Sequence, residues 1–160
     1  MDKYETLWRR FIALFIDFII LIPVNWGIAI VLSIIDILPA LLTSALTGLV
    51  SVLYYVLMHF YYGQTVGKMV GRVKVLDDSE TPLNFGQSVL RSLPQLLPVM
   101  FAFSFSTADE TAGSIALWAG LIYGLTGLFS IADVIVCLAN DKRRALHDFI
   151  AGTIVVRTDV

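Results

Sequence analysis

Charge is scarce in this chain. Asp, Glu, Lys and Arg make up only 15% of 160 residues, while 58% are hydrophobic and the mean hydropathy is +0.81. A soluble domain carries about 25% charged residues, so too few polar side chains are present to cover a water-facing surface. A lone cysteine, Cys137, excludes an internal disulfide, a CxxC pair and a cysteine-rich metal site. The two histidines, His59 and His147, are few as well, and the pair His147-Asp148 lacks the further ligands of a metal phosphohydrolase. The stretch from Gly63 to Gly71 has no GxxxxGK[ST] order for phosphate, and no Ser/His/Asp or Cys/His set suggests nucleophilic catalysis. No glycine precedes Asp17 or Asp133, which argues against intramembrane aspartyl proteolysis. A net charge of −2, with no basic run interleaved with aromatics, argues against nucleic acid. The expectation is a protein without enzymatic activity, metal or cofactor.

What the chain does have is long apolar runs. Crossing the hydrocarbon core takes roughly 20 helical residues, and four segments qualify: about 11–35, 38–62, 89–105 and 114–138. The first is too long for a secretory signal core and has no small-residue cleavage site before Pro23, so it reads as a retained span. The third is the weakest, with Arg91 at its start and Pro94 and Pro98 inside it. The expected fold is an all-α membrane protein, a four-helix transmembrane bundle forming a single domain over 1–160. Tyr4, Trp8, Tyr61, Tyr62 and Trp118 fall near the proposed boundaries, as interface anchors do. Gly120, Gly124 and Gly127 give the last span a small-residue face, suited to close helix packing.

The basic residues set an orientation. All eleven lie in three segments: Lys3, Arg9 and Arg10; Lys68, Arg72, Lys74 and Arg91; Lys142, Arg143, Arg144 and Arg157. The turns around Asp36 and 106–113 hold none. Positive charge accumulates on the cytoplasmic side, so both termini and the middle connection are expected inside a cytoplasmic membrane. In that connection Gly63-Gln64-Thr65-Val66-Gly67 reads as a glycine-punctuated exit from the second span. Residues 72–76 alternate like a short strand, 77–80 read as a turn, and Asn84 is an N-cap candidate. The β-branched run 152–156 on the same side is a candidate partner strand.

Two acids sit inside the apolar runs. Asp17 lies seven residues past Arg10, nearly two helical turns and roughly 10 Å along the axis, so the two share a face. A charged Asp in a membrane costs several kcal/mol unless paired or hydrated. It is therefore either an ion, proton or ligand site, or one half of a pair that locks the bundle. Asp133, seven residues before Asn140, lies at about the same depth from the other end. Two carboxylates at one level suit a shared cavity and proton-coupled exchange of a cation, and equally a structural hydrogen bond. Arg144 and His147 are expected at the headgroups, with Asp148 capping or pairing locally.

These residues, taken together, resemble the RDD family of bacterial membrane proteins, named for one arginine and two aspartates. Arg10-Phe-Ile-Ala-Leu-Phe-Ile-Asp17 is similar to its R-x-x-A-x-x-x-D opening. The likeness continues through Gly63, Gln64, Thr65, Gly67 and Lys68, then Gly71, Val73, Val75, Pro82, Leu83 and Arg91. It ends in Asp133, Leu146, His147, Asp148 and Ala151-Gly-Thr153, with both Asp133 and Asp148 open as the second aspartate. Val66 departs from the proline of many members, and 79–81 lack the usual glycine. The resemblance implies ion or ligand transport. The leading expectation is a membrane protein that binds or moves a small cation, proton or ligand, with Asp17 and Asp133 as the site and Arg10 tuning Asp17. The rival is a non-transporting scaffold or regulator acting on a partner through the middle loop and the C-terminal basic segment. Four helices enclose no wide pathway, so transport implies a homo-oligomer.

Overall fold

The computed structural model describes residues 3–35, 40–93 and 112–159. In chain order come helix α1 (Leu7–Ile35), helix α2 (Ala40–Tyr62), a short helix α3 (Val66–Val70) and strand β1 (Val73–Asp77). Helix α4 follows over residues 85–93, then α5 (Ala112–Ala139), a short helix α6 (Leu146–Ala151) and strand β2 (Thr153–Arg157). α1, α2 and α5 are long and apolar enough to cross a membrane. The 29 residues of α1 reach about 43 Å at about 1.5 Å per residue, more than the roughly 30 Å of hydrocarbon. Their outer faces expose Phe15, Ile19, Ile34, Leu125 and Leu128, which is stable only against lipid. Three such helices are present among the described residues; of the expected third span, 94–105 lies outside them.

α1 buries one stripe, Ala13, Asp17 and Leu21, spaced four apart so that they stack on one side. It stays one helix through Pro23, and two residues later Asn25 Nδ2 donates to Ser51 Oγ of α2 at 2.9 Å. α2 answers with Ala45, Val52, Val56 and His59. The small-residue face of α5 meets no described partner: nothing lies within 4 Å of a Cβ placed at Gly120, Gly124 or Gly127.

At one end of the helices the connections fold into a polar layer. β1 and β2 pair antiparallel, from Val73 opposite Arg157 to Asp77 opposite Thr153, one residue along from the runs expected at 72–76 and 152–156. Alternation puts Val73 and Val75 inward, where they form a small core with Leu83 and Val155. Val75 N–H donates to Gly63 O at 2.8 Å, and Gln64 Nε2 to Val73 O at 3.0 Å. Gly63 has φ +66, and a Cβ there would lie 2.8 Å from Val75 O, so glycine is required for this exit from α2. On the other edge Arg157 N–H donates to Lys3 O at 3.1 Å. Asn84 begins α4 as expected: its Oδ1 accepts Gln87 N–H at 2.8 Å, and Gln87 Oε1 accepts Asn84 N–H at 3.0 Å. Lys3 pairs with Glu80 at 2.7 Å and Arg9 with Asp159 at 2.8 Å, so the N-terminal, middle and C-terminal segments share one layer.

Candidate functional site

Asp17 is 1% exposed and accepts from α2 and from the loop that follows it. Its Oδ1 accepts Tyr54 Oη at 2.9 Å and Gly67 N–H at 2.8 Å, and its Oδ2 accepts Thr65 Oγ1 at 2.6 Å. Thr65 is the N-cap of α3, accepting Lys68 N–H at 3.3 Å. The carboxylate thus docks the first turn of α3 onto α1, where free N–H groups point outward. Docking is close enough that a Cβ on Gly67 would fall 1.9 Å from Ala13 O. Ala13 and Asp17, four apart on α1, and Thr65 and Gly67 on the loop therefore form one interlock.

Arg10 does not serve Asp17, contrary to the shared-face expectation. Its Nη1 donates to Asp148 Oδ2 at 2.6 Å, its Nη2 to Arg143 O at 2.8 Å and its Nε to Thr6 Oγ1 at 3.1 Å. The guanidinium points out of the helix end toward the returning C-terminal segment, which spacing within α1 cannot reveal. Arg91, 4% exposed at its side chain, donates to the other oxygen of Asp148 and to Thr153 Oγ1 at 2.7 Å. Asp148 is wholly buried and bridges the two arginines. Burial works against its charge, but Arg91 and then Arg10 outweigh it and hold the carboxyl well below the usual carboxylate range. The local role expected of Asp148 is also met, since its Oδ2 accepts Ala145 N–H at 3.0 Å.

Asp133 does for α6 what Asp17 does for α3. Ala145 stands at the N-cap of α6 with no polar side-chain atom to offer. Asp133, from α5, accepts His147 N–H at 3.0 Å and pairs with His147 Nδ1. His147 therefore points back toward the bundle rather than out to the headgroups. Burial and Arg91 lower its pKa, against the raising influence of Asp133. Arg144 does face outward in part, lying over the Phe149 ring at 4.4 Å and donating to Asp78 at 3.1 Å.

Beneath the polar layer is a cavity of about 450 Å³, lined by Arg10, Asp17, Tyr55, His59, Lys68, Arg91, Asp133 and His147 together with Leu14, Ser92, Thr126, Phe129 and Ser130. Asp17 and Asp133 thus do line one space, each already engaged elsewhere. His59 Nδ1 sits 2.7 Å from Tyr55 O, an atom that only accepts, so Nδ1 carries the proton and Nε2 a lone pair. That lone pair faces Lys68 Nζ at 2.5 Å. Burial, reinforced by Arg91, pushes the Lys68 amine well below the usual lysine range. Among the described residues no cluster of three or more His, Cys, Asp or Glu side chains is arranged to hold a metal ion.

The motif positions Gly63, Gln64, Thr65, Gly67, Lys68, Arg91, His147 and Asp148 all lie in the polar layer or the cavity beneath it. The Arg10–Asp148–Arg91 bridge and the Lys68–His59 pair are what sequence reasoning missed. Nothing in the spacing of His59 announces a partner in the next element. No curated protein and no solved structure matches the chain. The RDD family pattern does, over residues 4–152, nearly the whole length, and the chain belongs to the RDD family of membrane proteins.

Proposed function

We propose that this membrane protein binds a small ion or ligand in the cavity under the polar layer and carries it across the bilayer, without acting as an enzyme. The observation that carries the reading is the cavity itself. About 450 Å³ lined by charged and polar groups, between helices whose outer faces are apolar, is expensive in a membrane. A volume in the range of small-molecule sites, about 300–1,000 Å³, supports a solute as its occupant. Three or four helices enclose a narrow path, so the transporting unit is a homo-oligomer in the cell membrane.

The test is flux in proteoliposomes, with cations and anions offered separately. Thr126 lines the cavity from α5, and Thr126→Trp fills it without touching the ion pairs above. At least a tenfold loss of solute flux is expected, with unchanged elution in detergent. Absence of flux from folded wild type, for every solute offered, would return the charged layer to the rival role of docking a partner protein.

Four spans with both termini cytoplasmic belong to the same reading. Its support is that all three basic segments meet in one layer, the side on which positive charge is retained. With Cys137 replaced by serine, single cysteines at positions 36 and 109 should react with an impermeant thiol reagent outside intact cells. A cysteine at position 78, exposed in the layer, should not. External labelling of position 78 would invert the orientation.

A further inference from the structure

Among the described residues every carboxylate of the site has its donors, and one basic side chain is left without an acid. Arg10 and Arg91 both end on Asp148, Asp133 ends on His147, and Asp17 on Thr65, Gly67 and Tyr54. Among the described residues no carboxylate pairs with Lys68; its Nζ meets the uncharged lone pair of His59. The amine donates one hydrogen there, and the cavity lies beside it. Charging this amine would call for a counter-charge that the described side chains do not supply.

Resting on the cavity reading above, we propose that the occupant is a small oxyanion, a carboxylate or phosphate group, with Lys68 as its main contact and His59 holding the amine in place. The groups facing Lys68 are Arg10 and Asp17 from α1, His59 and Tyr55 from α2, Arg91 from α4, Asp133 from α5, and His147 and Asp148 from α6. The carboxylates among them point their lone pairs at donors already in place. The guanidiniums supply the field at the cavity, and a positive field in a low-dielectric wall concentrates anions.

A linkage follows. With the site empty, burial first and Arg91 next favour the neutral amine. A bound anion favours the ammonium. In the pH window between those two states, binding one anion takes up one proton. Affinity therefore falls as pH rises, by about tenfold per pH unit where a full proton is taken up.

The experiment uses the full chain in a zwitterionic detergent, with acetate and inorganic phosphate as probes and calorimetry across a pH series in two buffers of different ionisation enthalpy. Wild type should bind one or both probes with uptake of a proton, Lys68→Met should weaken binding at least tenfold, and Lys68→Arg should retain most of it. A second arm repeats the titration in nanodiscs of phosphatidylcholine and of phosphatidylglycerol. Competition only by the anionic lipid assigns the oxyanion to a lipid headgroup, and no competition assigns it to a free solute. Equal binding by Lys68→Met overturns the proposal. If that variant does not fold, anion binding by wild type without proton uptake overturns it instead. Cation flux that Thr126→Trp blocks, with no anion binding, would sink the oxyanion while leaving the cavity as a transport site.

Discussion

Gly67→Ala should leave almost no folded protein. The added Cβ would sit 1.9 Å from Ala13 O, 2.8 Å from Ala13 C and 2.9 Å from Asp17 Cγ. Two of those atoms are backbone in the middle of a helix, so nothing nearby yields cheaply. Relief requires lifting α3 off α1, which breaks the bonds from Gly67 N–H and Thr65 Oγ1 to Asp17 and leaves Oδ2 of this 1% exposed side chain without a donor. Overpacking alone costs about 1–3 kcal/mol, and an orphaned buried acceptor adds about 1–3 more. The measurement is unfolding in mild detergent and the yield of monodisperse protein. Gly27→Ala is the control, since its Cβ would meet open space. Removing the Ala13 methyl should not rescue the variant, because the clash is with the carbonyl. Wild-type stability for Gly67→Ala would show that α3 does not dock where described.

Asp148→Asn should be nearly as damaging, by a different route. It removes the charge between Arg10 and Arg91, whose side chains are 15% and 4% exposed. Breaking a buried pair by removing one partner costs about 3–5 kcal/mol. A double-mutant cycle identifies which acid Arg10 serves. Arg10→Gln combined with Asp148→Asn should cost less than the sum of the singles, with coupling of about 0.5–3 kcal/mol. Arg10→Gln combined with Asp17→Asn should be close to additive. The reverse result would restore the pairing that helix spacing suggested. Asp148 is also a statement about pH. Its pKa is depressed in the folded protein, so its contribution is present above the unfolded carboxylate value of about 3.9 and is lost only as pH falls through the lower folded value. Mild acid should therefore leave the layer closed, and layer opening near the ordinary carboxylate pKa would contradict the bridge.

The sequence is legible where the physics is local. The period-two run 72–76 and the β-branched run 152–156 became β1 and β2 because alternation and branching act residue by residue. Asn84 became a cap because a short side chain reaches the N–H three residues on. The apolar length of α1, α2 and α5 follows from the bilayer itself. Arg10 failed because its partner is far along the chain. Seven residues put Asp17 on its face, yet a long side chain at a helix end turns toward whatever folds back over it. Asp133 and Asp17 line one cavity, but the engagement of Asp133 with His147 depends on the turn after α5, where Arg143 takes φ +50. Helix periodicity does not describe such a turn.

The bridge at Asp148 also imposes an order on biosynthesis. Arg10 and Arg91 leave the ribosome early, whereas Asp148 and β2 follow every described spanning helix. Until they emerge, both arginines wait at the membrane surface without their acid, and β1 waits without its partner strand. The layer can therefore close only after the last of these helices has been made, and a chain truncated within α5 carries both arginines without their acid.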